Sequence, residues 1–328
     1  MAPAEQTNRH TETDLPSTRG LRWFSIIVIG PLVLLLILAF PLARSAKFPS
    51  QTQWVFLTSL DYAFSLDGVN ADVVVFGDST GLTGVQPLVV EAMTGLRTYN
   101  ISQSGTFVVV DTLRLDSYLS HNRWPRYILI HVRPVDLRRH DWGAAGTMEG
   151  MLTLVRHKAD PQTLWLFLTN PVQTAMFATR VPSIWRPFGS TAKSEQARKE
   201  VAESHGYLKM PPDSLEGCEN PFPKIVPDTK WISEMRRRYS REGTMVIVYA
   251  SPFPECETTF DWYASAARTF ADNPLTRLPV AMFSTDSVHF TPTGARQNSV
   301  LVADVIRAAE LSRTQGTAGS AARSRSQN

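Results

Sequence analysis

A serine, an aspartate and a histidine in this chain stand where they could carry acyl transfer. Val73-Val74-Val75-Phe76-Gly77-Asp78-Ser79-Thr80 is a β-rich apolar run that breaks at a glycine and delivers Ser79 two residues later. A serine hydroxyl becomes a nucleophile only when a base takes its proton and a third group orients that base. Far downstream, Phe283-Ser284-Thr285-Asp286-Ser287-Val288-His289-Phe290-Thr291-Pro292-Thr293-Gly294-Ala295 sets Asp286 and His289 at i and i+3, ahead of a helical pattern. On one turn both can face one point, the carboxylate holding one ring nitrogen while the other faces the serine. Each segment alone has an ordinary explanation: Gly-Asp-Ser after a strand is a common turn and cap, and Asp-x-x-His a common solvated pair.

These residues need a scaffold, and the pattern supplies one. Short apolar strands are expected at Asp72 to Phe76, Arg97 to Ile101, Tyr127 to Val132 and Met245 to Ala250, with a short fifth at Val280 to Phe283. Helical spacing marks Val85 to Met93, Thr106 to Ser120, Lys230 to Arg241, Tyr263 to Ala271 and Gly294 to Leu311, and Gly77 to Gly84 reads as a loop. Alternating strands and helices argue for a parallel sheet covered on both faces, with functional groups gathered beyond the carboxyl ends of its strands. Residues 138–228, rich in proline and carrying Leu164-Trp165-Leu166-Phe167-Leu168, interrupt the alternation. They read as an insertion over the sheet edge, either a lid or membrane-facing cap or a plain structural insertion.

Leu21 to Ala43 contains no charge after Arg22, so about 20 apolar residues are available to cross a bilayer as one helix. A cleaved signal peptide ending near Ala43, Ser45 and Ala46 is the rival reading. Arg9, Arg19 and Arg22 before the span, against Arg44 and Lys47 after it, favour an inside N-terminus. The expected organisation is a disordered cytoplasmic tail (1–20), a transmembrane helix (21–43), a linker with a juxtamembrane helix around Trp54 (44–70), an α/β domain (71–311) with the 138–228 insertion, and a disordered tail (312–328). Cys218 and Cys256 both follow the span and can form a disulfide or remain as two buried thiols. Net charge is +3 and the one basic run, Arg236-Arg237-Arg238, sits in a helical pattern, which argues against nucleic-acid binding. Neither a Cys/His cluster nor a phosphate-cradling glycine loop is present, so no metal or nucleotide cofactor is expected.

Taken together, these segments resemble the SGNH (GDSL-type) hydrolase family. Gly77-Asp78-Ser79-Thr80 is similar to its first block, Asn100-Ile101-Ser102-Gln103-Ser104-Gly105 to its second, and Asp286 to Ala295 to its last. The resemblance spans residues 70–136 and 244–311 and implies a flavodoxin-like three-layer α/β/α sandwich. It also implies Ser79 as nucleophile, His289 as base, Asp286 as its orienting acid, and the amides of Ser79 and Gly105 as oxyanion donors. The third block departs from the family's Gly-x-Asn-Asp: in His131-Val132-Arg133-Pro134-Val135-Asp136, Val135 holds the asparagine position and Arg133 is the candidate replacement donor. Membrane-anchored relatives acting on cell-surface polymers, such as alginate O-acetylation factors and the D-alanyl transfer protein of teichoic acids, often lack that asparagine. The resemblance therefore implies an extracytoplasmic, inner-membrane-anchored serine esterase or O-acyltransferase of the periplasm, acting on a polysaccharide, with a membrane O-acyltransferase as a partner. Two other readings are a catalytically weak glycan-binding accessory protein and a lipase or thioesterase whose insertion forms an acyl pocket.

Overall fold

The buried apolar runs of the sequence become a four-stranded parallel sheet of order β2-β1-β3-β4 in the computed structural model. The structure describes residues 23, 27, 30–52, 54–105, 108–137, 147–186, 192–218 and 221–325, with backbone only for 108–111 and 316–325. The strands are β1 (Val73–Gly77), β2 (Thr98–Asn100), β3 (Tyr127–Val132) and β4 (Met245–Ala250). Their side chains divide by the period of two. Val74, Phe76, Ile128, Ile130, Val246 and Val248 enter one core with Leu115 and Tyr118 of helix α4 (Val108–His121) and Met235 and Tyr239 of α9 (Lys230–Tyr239). Val73, Val75, Leu129 and Ile247 enter the other with Val90 of α3 (Pro87–Thr94) and Val302 and Ile306 of α11 (Pro292–Arg325). Helices thus cover both faces, and each fully buried Val, Leu or Ile side chain contributes about 1.5–3 kcal/mol of transfer free energy.

Several elements differ from expectation. The stretch 77–84 is not a loop throughout: α2 (Ser79–Gly84) begins at Ser79 because Asp78 caps it, its carboxylate accepting from Thr80 N at 2.8 Å. Val280–Met282 is a 3-10 turn with no buried residue, since Pro279 interrupts the ladder. A separate parallel pair forms between β5 (Phe253–Pro254) and β6 (Arg277–Leu278) instead, with α10 (Phe260–Ala267) between them. The stretch expected to be a connecting helix forms 3-10 turns at Val55–Ser59 and Ala63–Ser65, where Thr58, Ser59 and Ser65 hydroxyls donate to carbonyls three residues back. Helix α11 runs on through the expected tail to Arg325.

The apolar N-terminal segment appears as α1 (Gly30–Arg44), and among the described residues no helix is long and apolar enough to cross a membrane. Residues 1–20, most of 21–29, 138–146, 187–191 and 326–328 lie outside the described residues. Ala39 and Ala43 of α1 are fully buried against the insertion. The insertion comprises α5 (Met148–His157), α6 (Pro161–Thr169), α7 (Pro171–Ile184) and α8 (Ala192–Glu203). Arg156 of α5 fastens the junction: Nε donates to Asp61 Oδ1 at 2.7 Å and Nη1 to Ser45 O at 2.9 Å. Burial alone would raise the Asp61 carboxyl, but hydrogen bonds with His157 and Arg156 outweigh it and hold the group at about 2.

Cys218 and Cys256 form a disulfide across a sequence separation of 38. Replacing both with serine is expected to lower the unfolding free energy by about 4 kcal/mol, the loop-closure entropy of such a span. The check is a fall in the urea midpoint; an unchanged midpoint would show that the crosslink constrains nothing.

Candidate active site

Strand pairing sets the site out. Gly77 pairs with His131 at the ends of β1 and β3, and a Cβ on Gly77 would stand 2.2 Å from the His131 carbonyl oxygen. Glycine is therefore required for the two strands to remain paired to their last residues. Asp78-Ser79 then leaves β1 beside Arg133, which leaves β3. Ser79 is half-buried at the first position of α2, and its carbonyl accepts from Thr83 Oγ1 at 2.9 Å. Asn100 at the end of β2 steadies α2 from the other side, donating to Gly81 O at 2.8 Å.

Beneath this surface lies a buried polar chain. Asn298 of α11 donates its two amide hydrogens to Gly84 O at 2.9 Å and His131 Nε2 at 3.2 Å, while its oxygen accepts from Tyr249 at 2.7 Å. Nε2 must then be an acceptor, which places the His131 hydrogen on Nδ1, facing Thr80 Oγ1 at 3.3 Å. Thr80 passes its own hydrogen to Asp78 Oδ1 at 2.6 Å. Burial, followed by the charge of Arg133, pushes His131 down to about 3, so it stays neutral.

The structure brings Asp286 and His289 together. Asp286 Oδ2 meets His289 Nδ1 at 2.5 Å, and Oδ1 accepts from the amides of Val288 and His289 at 3.0 and 2.9 Å. Burial would raise Asp286, but the His289 hydrogen bonds dominate and hold it well below the usual carboxylate range. A bend at Ser287 (φ 58°) closes the turn. His289 Nε2 is buried without a hydrogen-bond partner among the described residues, so the bond to Ser79 Oγ is not made in this conformation. Such an orphan costs about 1–3 kcal/mol, and catalytic hydrogen bonds commonly tighten only once substrate is bound.

Arg133 donates through Nε to Asp136 Oδ2 at 2.6 Å and stacks on Phe222 at 5.2 Å. Desolvation opposes its charge, but Asp136 first, then Asp78 and Asp286, raise it above the ordinary arginine value. Its Nη1 is buried without a partner among the described residues. Val135 faces the core at 3% exposure and cannot contribute to an oxyanion site. Gly105 (φ 61°) has Glu149 where a side chain would go: a Cβ would stand 2.7 Å from Glu149 Oε2. Burial raises the Glu149 carboxyl.

Three contributors escaped the sequence reading. Phe56 lies with its ring 5.3 Å from that of His289. Glu149 supports the Gly105 turn from the insertion. Residues 214–218 and 221–228 build a wall: Leu215 N donates to Phe283 O at 2.8 Å, Phe222 N to Glu257 Oε2 at 3.1 Å, and Cys218 is bonded to Cys256. Between this wall and the dyad turn runs a cleft of ≈770 Å³, lined by Ser214, Gly217, Thr285, Asp286 and Ser287 among others. Apart from the cysteine pair, no local sequence signal marks these contacts, because each joins residues far apart in the chain. Among the described residues, no cluster of His, Cys, Asp and Glu could hold a metal ion.

No protein-family model, curated protein or solved structure matches the chain.

His131 predicts a pH dependence. Below pH ~6.5 the unfolded chain binds a proton that folded His131 refuses until about pH 3. Stability from this group is therefore present above ~6.5 and falls by up to about 1.4 kcal/mol per pH unit as the medium is acidified. The slope of unfolding free energy between pH 6 and 4 should flatten in His131→Gln; equal slopes would refute the assignment.

Proposed function

We propose that the chain is a serine acyl-transfer enzyme, an esterase or O-acyltransferase of the SGNH type, held at a membrane by its N-terminal apolar segment. The observation that carries this reading is the Asp286–His289 pair, its Nε2 unpartnered, with Arg133 under the charge of both Asp286 and Asp78, the residue before Ser79. The strand order β2-β1-β3-β4 supports a flavodoxin-like arrangement, with Ser79 at the point where the chain turns outward in both directions from β1.

In this mechanism Ser79 Oγ attacks an acyl ester, most plainly an O-acetyl ester, as His289 Nε2 takes its proton. Asp286 fixes the Nδ1–H tautomer and stabilises the imidazolium. The oxyanion is held by the amides of Ser79 and Gly105 and by the charge of Arg133, in place of the side chain that Val135 cannot supply. His289 returns the proton to the leaving oxygen. The acyl-enzyme then passes to water or to a sugar hydroxyl lodged in the polar cleft beside Asp286. An exported or cell-surface polysaccharide fits that cleft and the anchored topology, with a membrane O-acyltransferase as the supplier of acyl groups. No cofactor enters the scheme.

A second reading, a glycan-binding accessory protein of a polysaccharide complex, is favoured by buried Val135 and by the open Ser79–His289 contact. Turnover separates the two. The full chain in detergent should release acetate from p-nitrophenyl acetate or acetylated glycan and label with a fluorophosphonate. Ser79→Ala should abolish both, a loss of about 10⁶ in kcat for an intact triad. Asp286→Asn should cost about 10⁴, and Arg133→Met about 10²–10³ if its guanidinium serves the oxyanion. A wild-type protein that neither turns over nor labels would leave the accessory reading.

A further inference from the structure

We propose that α6 and α7 form a helical hairpin that dips into one leaflet of a lipid bilayer beside α1. This surface lies outside the acyl-transfer site and does not depend on its chemistry. The hairpin carries no charged residue from Pro161 to Thr179, and α1 none from Gly30 to Ala43. The hairpin exposes Leu164, Trp165, Leu168 and Val172, each 58–67% accessible, while α1 exposes Leu34 and Ile37 at 58% and 62%. Isolated apolar residues on a surface need no explanation, but a grouped set on neighbouring helices marks an interaction face.

The geometry gives this face a direction. Phe40 of α1 packs against Phe167 and Phe177 at 5.0 and 5.7 Å, so the three helices share one layer. Their bases lie together: Trp185 Nε1 donates to Gln51 Oε1 at 3.0 Å, Arg186 N to Gln51 O at 2.8 Å, and Arg156 Nη1 to Ser45 O at 2.9 Å. The Thr169-Asn170-Pro171 tip therefore points the way that the N-terminal end of α1 points. Exposed Arg44, Lys47, Arg180 and Arg186 stand toward the bases, where anionic headgroups would meet them.

Several side-chain donors of the hairpin are satisfied from within, as hydrocarbon favours. Asn170 Nδ2 donates to Leu166 O at 2.9 Å, Thr169 Oγ1 to Trp165 O at 2.9 Å, Thr174 Oγ1 to Phe167 O at 2.6 Å and Thr179 Oγ1 to Ala175 O at 2.8 Å. Nine residues of α6 span about 14 Å at 1.5 Å per residue. That is about half of a 30 Å hydrocarbon core and matches one leaflet rather than a crossing. An apolar cleft of ≈480 Å³ along Pro161, Trp165, Leu166 and Thr169 offers room for an acyl chain.

The test places an environment-sensitive NBD label on Leu168→Cys in the full chain, with the same label on exposed Ser233→Cys of α9 as reference. Both proteins are reconstituted into phosphatidylcholine–phosphatidylglycerol vesicles. The expected result at position 168 is blue-shifted emission quenched by acyl-chain spin-labelled lipid and not by aqueous iodide, with the reverse at 233. Iodide quenching at 168 would overturn the proposal. Protection at 168 from both quenchers would also overturn it, by showing that protein rather than lipid covers the face. Far-UV circular dichroism equal to wild type confirms that each labelled chain is folded.

Discussion

The contact of Gly77 with the carbonyl of His131 is the constraint on which the site depends. With no Cβ between them, β1 and β3 remain paired to their last residues, and the segments bearing Ser79 and Arg133 leave the sheet side by side. The buried imidazole below then links three elements. Through Thr80 it reaches Asp78 and α2, and through Asn298 it reaches α11, the helix that follows the Asp286–His289 turn. The Ser79 segment and the Asp286–His289 segment are thus referred to one neutral, fully buried histidine. Buried polar groups satisfied on both sides specify an arrangement more tightly than apolar packing does.

The insertion has a larger part than a cover over the sheet edge. Its first helix supplies Glu149 behind Gly105, its last helix, α8, packs against the turn that carries Phe56, and its last stretch forms the wall beside Asp286. Arg156 ties the same insertion to the end of α1. The helix emerging from the apolar N-terminus and the candidate catalytic turn are therefore connected through packed protein rather than through a free linker.

What could be read in the sequence follows from how local each signal is. Tyr127–Val132 and Met245–Ala250 were legible to the residue, because buried parallel strands are continuous β-branched runs between polar turns. Asp286 and His289 were legible as a pair because their contact spans one turn. The expected strand at 280–283 failed because apolar composition does not reveal that Val280–Met282 forms a 3-10 turn with no buried residue after Pro279, leaving only Phe283 in the core. The connecting helix at 51–66 failed because Ser and Thr hydroxyls compete for the backbone carbonyls and tighten it into 3-10 turns. Phe56, Glu149 and the wall beside Asp286 depend on tertiary contacts that, apart from the cysteine pair, nothing in the sequence announces.

The disulfide in that wall has a consequence for where the molecule is complete. Cys218 holds the 214–218 side of the cleft to Cys256 beside β5. In a reducing compartment the wall beside the cleft is held by its backbone pairing, such as Leu215 N to Phe283 O; in an oxidising one the bond adds a covalent hold. Completion of the cleft is then coupled to the redox state of the surroundings in which the chain folds.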